Sequence, residues 1–142
     1  TLNRGGVRMG TSEFYRLVEQ LPEIADSLVV DTSQLGREGK LWLFVVLANG
    51  VSQSGAHILP ESLRLKLTTL LKTELSPRHV PEVMYAVSEI PYTLSGKKLE
   101  VPVKRLLQGE ELGRVSNLDT LRNPGSLLTI RELARAEGDT QR

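Results

Sequence analysis

The sequence predicts an α+β domain: a small N-terminal β-hairpin, then a three-stranded sheet with packed helices. Three observations carry that reading. A Gly-Gly dipeptide at 5–6 separates two short strand-like runs. A nearly continuous apolar run at 41–48 has the pattern of a central strand covered on both faces. Stretches with apolar residues at helical spacing alternate with strand-like stretches, which orders the elements β-β-α-β-β-α-β-α-α.

Each element has a local cause. Residues 1–4 and 7–9 can pair across Gly5-Gly6, a dipeptide suited to the positive φ angles of tight hairpins. Thr11 has the residue type of a helix N-cap, and Glu13 is favourable in the first turn. Phe14, Leu17, Val18 and Leu21 follow at helical spacing, and Pro22 closes that helix. A strand over 24–32 has Val29 and Val30 at its centre. Residues 34–39 form a turn carrying Arg37 and Glu38, before the central strand at 41–48. Residues 49–59 read as a Ser- and Gly-rich loop, and Pro60 suits a helix start. Leu63, Leu67, Leu70 and Leu71 form one apolar stripe, with Arg64, Lys66 and Lys72 elsewhere on the wheel. Ser76-Pro77 ends that helix, and Val80-Pro81 delivers the chain into a strand at 82–87.

An apolar stretch then stops at Pro91, and a loop of small residues carries Lys97. The next helix covers 101–107, because Pro102 is tolerated only in a first helical turn. Residues 109–123 are polar and without a clear period. Asn123-Pro124 starts a last helix, with Leu127, Leu128, Ile130, Leu133 and Ala134 as its apolar residues, and 138–142 frays.

Composition bounds the function. A chain of 142 residues is one domain's worth, with an ordinary apolar share of 39% and charged share of 25%. The formal net charge of +1 supplies no global field for nucleic acid or a membrane surface, so neither is expected as a partner. Without cysteine there is no disulfide framework and no thiol chemistry. No apolar run approaches the roughly 18 residues of a spanning helix, and no signal-peptide pattern is visible; a cytoplasmic location is expected. The chain opens on Thr rather than Met, inside a motif, which predicts a piece of a longer protein cut near a domain boundary.

The most informative run is Pro91-Tyr92-Thr93-Leu94-Ser95-Gly96-Lys97. A lysine on a Ser-Gly loop between a strand and a helix presents a compact point charge on a long stem. That suits neutralisation of negative charge developing on a carboxylate or phosphate. A plain polar turn is the other reading of the same residues. His57 and His79 are isolated in the sequence, which makes each a loop histidine and leaves the chain without a metal site. Trp42 belongs to the core.

Pro-x-Thr-x-Ser-Gly-Lys at 91–97 resembles the C-terminal lysine motif of the adenylate-forming superfamily of acyl-CoA synthetases, luciferases and peptide-synthetase adenylation domains. Leu2-Asn3-Arg4-Gly5-Gly6-Val7-Arg8-Met9-Gly10-Thr11-Ser12-Glu13 resembles the segment that opens the C-terminal domain there. The two motifs stand in the family's order at about the family's separation. The resemblance covers 1 to about 109. The family pattern usually has arginine three residues after the lysine, and this chain has Glu100 there. The run Lys97-Lys98-x-Glu100-Val101-x-Val103-Lys104 is similar to acetoacetyl-CoA synthetases, as is the Asn-Pro-containing tail.

The resemblance implies a domain over 1–112, a helical extension over 113–142, and a large N-terminal domain outside this chain, without which the chain alone is expected to be inactive. It implies that Lys97 is catalytic and contacts the substrate carboxylate and α-phosphate. It implies that Gly5 and Gly6 line a pantetheine tunnel and that Arg8 meets phosphate or orders the thioester-forming state. Both glycines are equally explained as hairpin residues, and Arg8 as a surface strand residue. Lys72 reads as a solvated helix charge, with the resemblance adding a contact to the CoA 3′-phosphate. The implied small molecules are ATP, CoA and Mg²⁺, bound mostly by the N-terminal domain, and a small carboxylic acid. The implied partners are that N-terminal domain and a lysine acetyltransferase acting on Lys97. Three other readings stay open: an acetyl- or propionyl-CoA synthetase, a carrier-loading adenylation domain, and a non-enzymatic binding module.

Overall fold

The computed structural model describes residues 2–4, 7–33, 39–48, 57–111 and 118–140. They follow the predicted element order: β1 (Leu2–Arg4), β2 (Val7–Met9), α1 (Thr11–Glu19), β3 (Ile24–Asp31), β4 (Leu41–Leu47), α2 (Glu61–Glu74), β5 (Val83–Ala86), α3 (Glu100–Leu107) and α4 (Gly125–Thr140). The chain divides into two compact units, Thr1–Ser88 and Glu89–Arg142.

In the first unit, β1 and β2 pair antiparallel, with Asn3 opposite Arg8 and Arg4 opposite Val7. A separate mixed sheet has the order β3-β4-β5. β3 runs antiparallel to β4, and β5 runs parallel to β4 with Trp42 opposite Val83 and Val45 opposite Ala86. A parallel neighbour requires a crossover, and α2 supplies it. Strand period then sorts the central strand. Leu41, Leu43, Val45 and Leu47 join Phe14 and Val18 of α1 and Leu63, Leu67 and Leu71 of α2 in one core. The opposite face carries Trp42 and Phe44, stacked at 6.0 Å, with the Tyr85 ring 6.3 Å from Phe44. Both faces of β4 are therefore buried, as its unbroken apolar run requires. Each fully buried leucine of the α2 stripe contributes about 1.5–3 kcal/mol of transfer free energy.

Both edges of this sheet are closed by side chains and loop backbone. On β3, the Val29 N–H donates to Tyr15 Oη at 3.1 Å and Ser27 Oγ donates to Glu19 Oε2 at 2.6 Å, so α1 lies along that edge. On β5, the Ala86 N–H donates to the His57 carbonyl at 3.1 Å, and His57 Nδ1 lies 2.9 Å from the Ala86 carbonyl. Arg64 Nη2 donates to the Met84 carbonyl at 3.4 Å.

Three local expectations need correction. Thr11 is the first helical residue of α1 rather than its cap; Gly10 takes the extended capping position and no side chain caps it. Glu13 stands in the first turn, as expected, and pairs with Arg16 one turn on. The second helix ends at Glu74, just ahead of Ser76-Pro77 as expected, and Ser76 caps a short 3₁₀ turn at Pro77–His79. His79 is not a loop histidine on the surface: it is fully buried in that turn, with Nδ1 2.7 Å from Ser76 Oγ. The third helix starts at Glu100, one residue early, which still leaves Pro102 in its first turn. The predicted turn carrying Arg37 and Glu38 and most of the 49–59 loop lie outside the described residues.

One exposed ion pair ties α2 to the turn before β3. Lys66 Nζ donates to Glu23 Oε2 at 2.5 Å, and this hydrogen bond holds the Glu23 carboxyl below its ordinary pKa. A depressed folded-state pKa means the stabilisation is present above the unfolded carboxylate pKa and is lost as pH falls through the folded value. Glu23→Gln is therefore expected to lower the melting temperature slightly at neutral pH. It should converge with the wild type as pH drops below the carboxylate range. Thermal melts across that window check it; a difference that persists at low pH would assign the effect to packing.

In the second unit, Ile90 and Leu99 are buried on either side of the lysine loop, α3 packs against α4, and Val103, Leu106, Leu127, Ile130 and Leu133 of the two helices are buried. No helix among the described residues is long and apolar enough to cross a membrane.

Candidate functional site

The chain enters the lysine loop from Pro91 and leaves it at Leu99, the residue before α3. Between them, 92–98 form a narrow hairpin in which Tyr92 bridges Lys98 antiparallel. Thr93 organises it. Its N–H donates to the Lys97 carbonyl at 2.9 Å, and its Oγ1 accepts from the Lys97 N–H at 3.0 Å. The same hydroxyl shares a 2.9 Å hydrogen bond with Ser95 Oγ. The Thr93 carbonyl accepts from the Gly96 N–H at 3.0 Å. One threonine thus holds both backbone polar groups of Lys97, the local hydroxyl-to-backbone bonding that favours Thr at turns.

Gly96 has φ +92°, a conformation glycine adopts without steric cost. A Cβ there would also lie 3.3 Å from Arg122 Nη2. Gly96 therefore meets a conformational need of this hairpin, and Ser95 adds a side-chain hydrogen bond to Thr93.

Leu94, Ser95, Gly96 and Lys97 are exposed at the tip, whereas Lys98 is half-buried on the returning arm. Of two adjacent lysines, the hairpin presents Lys97. No ion pair forms at the Lys97 ammonium among the described residues, so its charge is available to a ligand anion. Such a cation can stabilise charge developing on a carboxylate or phosphoryl oxygen.

The other sequence-predicted residues lie in the first unit. Gly5 and Gly6 lie outside the described residues. Arg8 is placed in β2 by its register opposite Asn3. Lys72 stands exposed in the last turn of α2, away from the buried Leu63, Leu67 and Leu71. His57 bonds to the β5 edge through its backbone and ring, and His79 is a buried turn residue. Among the described residues, no three His, Asp or Glu side chains come together to hold a metal ion.

Sequence reasoning missed the partners of the hairpin in the C-terminal tail. Residues 120–122 run antiparallel beside it, with Leu121 bridging Thr93. The Leu94 N–H donates to the Thr120 carbonyl at 3.1 Å and the Arg122 N–H to the Tyr92 carbonyl at 3.0 Å. Asn123 Oδ1 accepts from the Tyr92 N–H at 3.1 Å, and its Nδ2 donates to the Ile90 carbonyl at 2.7 Å. A strand of one or two residues has no readable period, so the only local signal was Asn123-Pro124 itself.

No protein-family model matches the chain. A curated relative, the acetoacetyl-CoA synthetase of Caenorhabditis elegans, is 43% identical over 128 residues, which is 89% of this chain and 17% of the relative. Among solved structures, the acetoacetyl-CoA synthetase from Streptomyces lividans superposes with a TM-score of 0.79 at 41% identity, over 94% of this chain and 19% of that one. The acyl-CoA synthetase of Brucella canis superposes with a TM-score of 0.55 at 25% identity, over 75% of this chain and 18% of that one. The chain spans less than a fifth of the length of these relatives. Its α+β fold matches the C-terminal domain of acyl-CoA synthetases. Over most of its length the chain is thus similar to one part of the adenylate-forming acyl-CoA synthetases, and among them to the acetoacetyl-CoA synthetases.

Proposed function

We propose that this chain is the mobile C-terminal domain of an AMP-forming acetoacetyl-CoA synthetase, with 1–112 as the domain proper and 113–142 as its extension. The observation that carries the reading is Lys97, an exposed ammonium held by Thr93 at the tip of a hairpin whose sequence matches the superfamily's lysine motif. In the first step an acetoacetate oxygen attacks the α-phosphorus of ATP, the bond to the bridging oxygen breaks, and pyrophosphate leaves. Lys97 offsets the negative charge on the attacking carboxylate and the α-phosphate. The domain then rotates about a hinge that precedes it. The Gly5-Gly6 hairpin and Arg8 come to the site, where glycine permits close backbone approach and a guanidinium suits phosphate. The CoA sulfur attacks the acyl carbon, its proton passes to solvent, and AMP leaves. Lys72 is proposed to meet the CoA 3′-phosphate.

The Mg²⁺ that accompanies ATP is assigned to no residue described here, and neither is the acyl pocket. Both belong to the N-terminal domain, this chain's principal partner in a cytoplasmic enzyme. A lysine acetyltransferase acting on Lys97 would remove its charge.

The test is acid-dependent ATP–pyrophosphate exchange by the full-length protein with acetoacetate, acetate and propionate. Exchange driven chiefly by acetoacetate is expected. Preference for acetate or propionate would reassign the acid while keeping the reaction. No exchange with any acid would remove the enzymatic reading in favour of a binding module.

A further inference from the structure

The entering arm of the lysine hairpin, 92–94, is the middle segment of a three-segment ladder. The returning arm lies on one side and residues 120–122 on the other. The tail contributes more than two backbone hydrogen bonds. The Arg122 guanidinium lies 5.4 Å from the centre of the Tyr92 ring, within cation–π range. Its Nη2 would also lie in tight contact, at 3.3 Å, with a Cβ on Gly96. Asn123 uses both ends of its amide on the strand that enters the hairpin, at Ile90 and Tyr92. Its carbonyl accepts from the Ser126 N–H at 3.0 Å and from Ser126 Oγ at 2.7 Å, where α4 begins. Leu121, Leu127 and Ile130 are buried, so the clamping segment is anchored in the core of the unit while the hairpin tip is exposed.

We propose that residues 120–123 form a positioning clamp for Lys97, with Arg122 and Asn123 as positioning residues of the adenylation half-reaction. The inference rests on the reading of Lys97 given above. A two-stranded hairpin is marginal in water by itself, and a third strand with a buried anchor gives it order. The clamp fixes the backbone of Lys97, so the long side chain starts from one place. Adenylation needs that placement, because small misplacements of a reacting group are costly. Thioester formation, which uses the other hairpin of the chain, does not.

The experiment compares Asn123→Ala, Arg122→Ala and Arg122→Lys with Lys97→Ala in the full-length protein. Two half-reactions are followed: acetoacetate-dependent ATP–pyrophosphate exchange, and CoA attack on pre-formed acetoacetyl-adenylate. Amide hydrogen exchange at Leu94 and Lys97 is read on the same proteins. Asn123→Ala and Arg122→Ala are expected to slow pyrophosphate exchange by roughly ten- to a hundredfold. The loss should fall on turnover rather than on KM for ATP, with faster amide exchange at Leu94 and Lys97. CoA attack should keep its wild-type rate, which also reports an intact fold. Arg122→Lys, which keeps a cation over Tyr92, should recover most of the loss. Pyrophosphate exchange unchanged in both alanine variants but lost in Lys97→Ala would overturn the clamp and leave the Lys97 reading standing. Equal loss of both half-reactions in the alanine variants would reduce the segment to a folding element and overturn it as well. Full exchange by Lys97→Ala would overturn both readings together.

Discussion

Lys97→Ala in the full-length protein is expected to lower acetoacetate-dependent ATP–pyrophosphate exchange by about 10²–10³-fold, the usual cost of removing one preorganised stabiliser of transition-state charge. CoA attack on pre-formed acetoacetyl-adenylate should persist, because the proposed function gives that step to the Gly5-Gly6 hairpin and Arg8 rather than to Lys97. The asymmetry follows from the hairpin. Lys97 is exposed at its tip and its backbone N–H and carbonyl are both held by Thr93, so truncation removes the cation without unmaking the loop. Lys97→Arg should recover only part of the rate, since a planar guanidinium is not a compact point charge. Enzyme acetylated stoichiometrically at Lys97 should match the alanine variant in both half-reactions, because acetylation removes the charge while keeping the stem. Wild-type exchange by the alanine variant, or by the acetylated enzyme, would make Lys97 an ordinary loop charge.

Phe14→Ala is expected to destabilise the first unit by about 3–5 kcal/mol, the range for truncating a large buried aromatic side chain. Phe14 has no exposed surface and packs from α1 into the core formed by β4 and α2. A loss of that size is a large fraction of the roughly 5–15 kcal/mol that holds a domain folded. The single tryptophan, Trp42, is buried on the central strand of the same unit and reports its unfolding directly. Leu65→Ala provides the contrast. Leu65 is 59% exposed on α2, so its truncation should change stability by less than about 0.5 kcal/mol. Denaturant unfolding followed by Trp42 fluorescence measures both. Similar shifts for the two variants would mean that the core does not lie where the packing puts it.

The order of elements was legible because each has a local cause. The α2 stripe of Leu63, Leu67 and Leu71 repeats at helical spacing and is buried as that spacing demands. The unbroken run of β4 is buried on both faces, as a central strand must be. The lysine motif was equally local. Gly96 supplies the positive φ, Thr93 supplies the hydroxyl, and Lys97 follows by sequence position at the tip.

What the sequence could not determine was decided by contacts between residues far apart in the chain. A helix cap depends on which residue the chain entry leaves extended, and that was Gly10 rather than Thr11. The burial of His79 depends on where the turn after α2 folds back, not on histidine's neighbours in sequence. The polar stretch before α4 had no period to read. Its single bridging residue, Leu121, finds Thr93 at a distance in sequence that no propensity spans. Local chemistry by itself therefore determined the elements and the hairpin that presents Lys97. Only tertiary pairing decided which segment lies beside that hairpin, because a hydrogen bond between Asn123 and Tyr92 exists only after the start of α4 and the strand before the hairpin have met.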